Sequence, residues 1–213
     1  MIEDGIVSDM GPRKDLTAKY SKSDELALND HIVCPGLINC HNHAAMKLMR
    51  GLGQGLNLDD WLQQAIWPFE KEHLDAPTVG LGAELAIVEM LMSGITTFSD
   101  MYFFPETVAS VAERLGLNVQ LAVPIIRLDT RWARGSEECL HRALALHDLY
   151  RDHQHVSVSF GPHSVEALDL ETLEKIGMYA DELDLGIQIH LQETSGELDR
   201  ALKNHGHSFV VLL

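Results

Sequence analysis

The chain has 213 residues, 46% of them hydrophobic and 23% charged, a soluble globular balance that is long enough for a sizeable core in one or two domains. Its net charge of -16, with no clustered basic face, argues against a nucleic-acid partner, and the letters His41-Asn42-His43 are not read as a nuclease motif. No apolar run reaches the roughly 18 residues of a membrane span, the start MIEDGIVSDMG lacks signal-peptide regions, and three cysteines without a C-x-x-C pair fit a reducing cytoplasm better than a disulfide framework.

Residues 1–35 read as a small β-element, with Asp4-Gly5 as a turn between short alternating segments. Cys34 and Cys40 are expected to be buried packing residues. After residue 35 the chain alternates short runs rich in Ile, Val, Thr and Phe with longer helical patterns. Strands are expected at about 36–43, 95–102, 118–126, 156–163 and 186–192. Between the first two, Leu81, Leu85, Val88 and Met92 fall on one stripe of a helix over 78–92. Pro105 and Gly116 bracket the next helix, and Leu170, Leu173, Ile176, Ala180 and Leu183 form the stripe of another over 170–183. Both stripes are expected to face the core. Thr194 with Glu197 reads as a capping box opening a further helix. Strand followed by helix, repeated, is the pattern of parallel βα units.

The chemistry-bearing residues sit at strand ends. Alternate side chains of a strand share a face, so His41 and His43 would present two imidazoles to one point at the end of the first strand. A chain with 12 His can place two of them two apart by chance, and such a pair alone is weak. The run Gly186-Ile187-Gln188-Ile189-His190, however, ends in a third His and is followed by Glu193. Three neutral imidazoles suit zinc and related divalent ions, and a carboxylate three residues on is placed to move protons. The glycines of Gly51-Leu52-Gly53-Gln54-Gly55 match no phosphate-binding fingerprint and more plainly let a loop fold over the site. Trp61 and Trp67 are candidates for its lining, with core packing as the alternative.

The stretch PGLINCHNHAAMKLMRGLGQGLNLDDWLQQAIWPFEKE (Pro35 to Glu72), then SGITTFSDMYFF (Ser93 to Phe104), SFGPHS (Ser159 to Ser164) and IHLQET (Ile189 to Thr194), resembles the amidohydrolase superfamily. Within it the stretch is similar to the deaminases of 5-methylthioadenosine and S-adenosylhomocysteine. The other zinc deaminase pattern, H-x-E followed by P-C-x-x-C, is absent. The resemblance implies an α/β fold, a partial (β/α)8 TIM-type barrel of about five βα units. Residues 1–35 would then be the N-terminal part of a small β-sandwich and 36–213 the N-terminal portion of the barrel. It further implies one divalent metal ion, zinc foremost, held by His41, His43 and His190. Glu193 would be the general acid/base and His163 the residue that positions or polarises the purine. Glu70 would accept hydrogen bonds from the ribose hydroxyls, and Arg127, Arg131 or Arg134 would meet a substrate carboxylate, with no motif selecting among the three.

The implied reaction is hydrolytic deamination of an adenosine thioether to the inosine analogue and ammonia, by a cytoplasmic enzyme that forms homo-oligomers at full length. Alternatives are a deaminase or chlorohydrolase of another heterocycle, such as guanine or a triazine, and a non-catalytic metal-binding remnant. A closed barrel takes about 250 residues, and the family's further metal-site His and its Asp on the eighth strand have no counterpart here. The ending His205-Gly206-His207-Ser208-Phe209-Val210-Val211-Leu212-Leu213 also departs from the family's pattern. The chain is therefore expected to be a fragment, inactive by itself.

Overall fold

Asp4 and Gly5 adopt positive φ (50° and 78°), as a tight hairpin turn requires, and join β1 (Ile2–Glu3) to β2 (Ile6–Val7) as an antiparallel pair. The turn is as expected from Asp4-Gly5. The helix that follows, α1 (Arg13–Lys19), is not. Pro12 precedes it, Asp15 lies in its first turn and Lys19 in its last, yet it buries no residue, so it carries no apolar stripe to betray it in the sequence. These elements belong to one compact unit, Met1–Pro35, and a second begins at Gly36. The computed structural model describes residues 1–212.

In the second unit β3 (Leu37–Asn42), β4 (Ile95–Asp100), β5 (Asn118–Ile125) and β6 (Val156–Pro162) form a parallel sheet in that order. The strands at 36–43, 95–102, 118–126 and 156–163 are thus present, each a residue or two shorter than expected. Helix α4 (Ala76–Met92) connects β3 to β4, α5 (Pro105–Leu115) connects β4 to β5, and α6 (Gly135–Tyr150) connects β5 to β6. Pro105 opens α5 and Gly116, at φ 77°, closes it, as the sequence predicts. After β6 comes α7 (Leu170–Leu183), which buries Ile176 and Ala180 but leaves Leu170 exposed. β5 and β6 are buried along most of their length, the mark of parallel strands covered on both faces.

The fifth strand expected at 186–192 is corrected by the structure. The segment lies beside β6 and exchanges hydrogen bonds with it: Phe160 N–H donates to the Gly186 carbonyl at 3.0 Å, Gln188 N–H to Phe160 at 2.9 Å and His190 N–H to His163 at 3.0 Å. It pairs, however, only at two isolated bridges, Phe160 with Ile187 and Ser164 with His190. Gln192 then turns into the left-handed region at φ 54°, where a strand cannot continue. Helix α8 (Ser195–His205) follows, and its Ala201 packs with Val165 and Phe209, the last in α9 (Phe209–Leu212).

Two burial expectations also fail. Leu81, Leu85, Val88 and Met92 of α4 are exposed, and the buried face is Val79, Gly82, Ala83, Ala86, Ile87 and Met90. The helix is apolar nearly all round, so periodicity alone could not choose a face. Close approach decided it: a Cβ on Gly82 would sit 2.5 Å from the Ala45 carbonyl oxygen, so the face that carries Gly82 is the one that packs on the 3-10 turn Ala44–Met49. Cys34 and Cys40 are exposed, and of the three cysteines only Cys139 is buried.

Between the 3-10 turn and α4 the chain runs as α2 (Leu58–Trp61), a π-helical turn (Leu62–Ile66) and α3 (Trp67–His73). Asn57 caps the start by accepting from Asp60 N–H at 2.9 Å. Pro68 has no N–H to continue an α-helical ladder, and the wider turn just before it absorbs that loss. This stretch delivers Trp61 and Glu70.

Gly82 and Gly177 offer a paired test of these packing arguments. Gly82→Ala should destabilise the chain by about 1–3 kcal/mol in urea unfolding, because backbone must move to admit the methyl group. Gly177→Ala, in the middle of α7 with nothing within 4 Å of the added carbon, should instead stabilise by about 0.5–1 kcal/mol. Equal effects at the two positions would refute the close-packing account of α4.

Candidate metal centre

His41 and His43 lie at the C-terminal end of β3, where the β3–β4 register is irregular between Asn39 and Asn42. His190 lies at the end of the segment beside β6, on the far side of the sheet. Even so, His190 Nε2 is 3.1 Å from His41 Nε2 and 3.2 Å from His43 Nε2. Across four strand spacings of about 4.8 Å a flat sheet would hold these groups nearly 20 Å apart. The sheet therefore curls until its two flanks face each other, and the imidazoles meet across the interior.

The other ring nitrogens fix the tautomers. His43 Nδ1–H donates to the Met101 carbonyl at 2.6 Å, and His190 Nδ1–H donates to the His163 carbonyl at 2.9 Å. A carbonyl can only accept, so in the neutral rings Nε2 of both carries a bare lone pair. Burial holds His43 down to about 4 and lowers His41 as well, with His190 adding to both shifts, so these imidazoles are neutral near pH 7. Two lone pairs facing each other at 3.2 Å repel unless a cation lies between them. Zn–N bonds of about 2.0–2.1 Å in tetrahedral geometry would set neighbouring nitrogens about 3.3 Å apart. The three residues thus fit a divalent ion, and the backbone-bonded Nδ1 atoms of His43 and His190 are the orienting contacts that such ligands use.

His163 follows β6, and its ring lies 4.9 Å from that of His190, centroid to centroid. Burial, with His190 and His43 nearby, lowers it to about 4. Glu193 is exposed, and its charge acts on His41, raising the pKa of that ring against the larger effect of burial. Its own N–H donates to Glu197 Oε2 at 2.6 Å, while Thr194 Oγ1 accepts from Glu197 N–H at 3.1 Å. The capping box is therefore made, with its return arm one residue early. Glu70, on α3, accepts from Tyr102 Oη at 2.6 Å, and the Tyr102 ring lies 6.2 Å from that of His43. Burial raises the Glu70 carboxyl above the usual range, against the lowering effect of the Tyr102 hydroxyl.

A cleft of about 680 Å³ opens beside His41 and His43, within the range of small-molecule sites. Met46, Met49, Leu52 and Trp61 form its apolar wall, and Gly51 and Gln54 bring the glycine loop to its rim. Trp61 Nε1–H donates to the Leu52 carbonyl at 2.8 Å, which holds that loop down. Trp67 is not among the lining residues and is exposed. The three arginines do not gather at the histidines. Arg127, Arg131 and Arg134 are exposed, and Arg131 is engaged with the Lys71 and Glu72 carbonyls at the end of α3.

The sequence reading missed Asp100. It ends β4 fully buried, and its Oδ1 accepts the Ala44 N–H at 2.5 Å while Oδ2 has no partner. Its one sequence signal is an acidic residue at the end of an apolar strand.

A parallel curled sheet thus brings two imidazoles from the end of β3 and one from the segment beside β6 to one point, an arrangement that can hold a divalent ion. The model of the amidohydrolase family matches residues 32–211, and the chain belongs to that family. It is 41% identical over 206 residues to a 5-methylthioadenosine/S-adenosylhomocysteine deaminase of Saccharophagus degradans, covering 97% of this chain and 46% of that relative. A 5'-deoxyadenosine deaminase of Methanoregula boonei is 37% identical over 174 residues, 82% of this chain and 39% of its own. Among solved structures, an adenosine deaminase from Xanthomonas campestris with bound zinc superposes with a TM-score of 0.81 at 36% identity, covering 84% of this chain and 40% of that one. The chain spans less than half the length of these relatives. Among the described residues no helix is long and apolar enough to cross a membrane.

Asp100 generates a pH prediction for the metal-free chain. Burial raises its folded carboxyl to about 7 from an ordinary 3.8, so between those values the unfolded chain releases the proton first and stability falls as pH rises through the window. Asp100→Asn keeps an acceptor for Ala44 N–H and removes the titration. In chelator the variant should match the parent near pH 4 and exceed it at pH 8 by up to about 4 kcal/mol. Parallel stability curves for the two proteins would refute the burial of a proton there.

Proposed function

We propose that the whole protein is a zinc-dependent hydrolytic deaminase of an adenosine thioether, 5-methylthioadenosine or S-adenosylhomocysteine, releasing ammonia and the inosine analogue. The observation that carries the reading is the convergence of His41, His43 and His190 through Nε2, with the Nδ1 atoms of two of them spent on backbone carbonyls. The relatives' names support the substrate class. Two exposed free cysteines suit a reducing cytoplasm, where we place the protein.

When bound, a zinc ion supplies Lewis acidity that makes water a nucleophile near neutral pH. The remaining work falls to the chain's own residues. Glu193, beside His41, takes the proton from the attacking water, delivers it to the ring nitrogen next to C6 and passes a proton to the departing ammonia. His163, neutral and tilted against the His190 ring, orients the purine edge. Glu70 keeps acceptor capacity beyond the Tyr102 hydroxyl, and a carboxylate with free lone pairs suits the vicinal hydroxyls of a ribose. The wall of Met46, Met49, Leu52 and Trp61 offers the apolar side of the cleft to the substrate. Arg127, Arg131 and Arg134 stay candidates for a substrate carboxylate only if the loops that carry them turn inward.

The whole protein, loaded with zinc, should release ammonia from methylthioadenosine. Glu193→Gln keeps the shape of the side chain but cannot exchange the proton. It should cut kcat by about a hundredfold to ten-thousandfold while zinc content and substrate binding hold. Near-normal kcat in that variant would remove Glu193 from the reaction.

Glu70→Ala separates nucleosides from free heterocycles. It should lower kcat/KM on methylthioadenosine by about 2 kcal/mol or more, at least thirtyfold, and leave activity on free adenine little changed. Equal losses on both would favour the alternative reading, a deaminase of a free heterocycle such as guanine.

A further inference from the structure

The ladder between β3 and β4 is broken just where the first two histidines are presented, and side chains fill the gap. His41 N–H reaches Asn39 Oδ1 at 3.4 Å, and the Cys40 carbonyl accepts from Gln188 Nε2 at 2.8 Å. Gln188 stands two residues before His190, on the same face of its segment. Its other amide atom is used as well, since Oε1 accepts from Ser99 Oγ at 2.8 Å, and Ser99 is buried on β4. One primary amide therefore joins the segment that carries His190 to the strand that carries His41 and His43, and to the strand between them and the rest of the sheet.

We propose that Gln188 is a positioning residue, a strut across the interior of the curled sheet that sets His190 against His41 and His43 before any metal arrives. The inference rests on the three-histidine metal reading. The segment 186–190 is bridged to β6 at two points, and His190 is tied to the His163 carbonyl through both its N–H and Nδ1, but all of these contacts lie on the β6 side and leave free how closely the segment approaches β3. The amide removes that freedom because both its donor and its acceptor must be met at once, and the two partners lie on different strands. An apolar side chain of the same length would fill the space but could not choose the distance. A shorter Asn could not reach both partners.

A double-mutant cycle on zinc affinity, read by competition with a chromophoric chelator, tests the strut. His190→Ala should weaken zinc binding by about a hundredfold in the parent chain and Gln188→Met by about tenfold, in the range found when groups supporting a metal ligand are lost. The informative result is the combination. If Gln188 acts by placing His190, His190→Ala in the Gln188→Met background should cost tenfold or less, and the double variant should bind about as weakly as His190→Ala alone. A role confined to general stability would make the two losses multiply, and that result overturns the proposal. So does a zinc affinity for Gln188→Met within twofold of the parent.

The visible spectrum of the cobalt-loaded chain gives a second reading of the same geometry. The band pattern of the parent should shift in Gln188→Met toward that of His190→Ala, and an unchanged spectrum counts against the strut. Should Gln188→Met fail to fold, Ser99→Ala removes one arm of the bridge and must show the same coupling to His190→Ala, in smaller measure. Strict additivity there overturns the proposal equally. A parent chain that binds no zinc would sink the three-histidine reading itself, whereas zinc binding with an additive cycle would sink the strut alone.

Discussion

Three imidazoles have to meet although the chain places them on opposite flanks of its sheet, and the second unit is organised around that constraint. Side chains reach only a few ångströms from a strand, so the 3.1 and 3.2 Å separations at His190 require the sheet itself to close in. Right-handed twist in a parallel sheet supplies the curvature. The crossover helices follow from it, because strands that curl inward expose an outer face, and α4, α5 and α6 cover that face while β5 and β6 become buried along most of their length. Neutral rings with lone pairs turned toward one another are the residual cost of the arrangement. A divalent cation is the group that turns this repulsion into bonding.

The end of β4 is where the convergence is held. Four consecutive residues each secure a different part of the site. Ser99 donates to Gln188, Asp100 accepts from Ala44, the Met101 carbonyl orients His43, and Tyr102 donates to Glu70 while lying near His43. None of these four is a metal ligand or a proposed catalyst. Side chain and backbone share the work, since Ser99 and Asp100 at the end of β4 and Tyr102 just beyond it act through side chains and Met101 through its carbonyl. Asp100 in particular holds the turn after His43 by a bond to backbone, leaving its second oxygen unpaired in a buried place.

The histidines were legible because a period of two on a strand is a strong geometric statement, and because His190 and Glu193 follow a run of the same type. The βα order was legible for the same reason that Pro105 and Gly116 bracketed α5, since start and stop signals there agree with the apolar pattern. Where the sequence is apolar on every face, as along α4, periodicity could not tell Leu81 from Ala83, and the face with Gly82 went inward because the 3-10 turn comes so close to it. Helix α1 was invisible because it buries nothing. The support residues Ser99 and Asp100 at the end of β4 and Gln188 beside β6 were hidden for a different reason: they matter through long-range hydrogen bonds, and no local spacing announces those.

The Glu70–Tyr102 pair bears on the choice between a nucleoside and a free heterocycle. A carboxylate in a largely buried setting costs free energy unless its lone pairs are used, and Tyr102 uses only part of them. A flat heterocycle at the metal centre would bring few donors to that oxygen pair and leave the cost standing. In the proposed reading a ribose diol would bring two hydroxyls to that one carboxylate and offset its partial burial. Selectivity in that reading would come less from what the ribose gains than from what a substrate without one would leave unpaired, because the larger penalty in a buried polar site is for the bond not made.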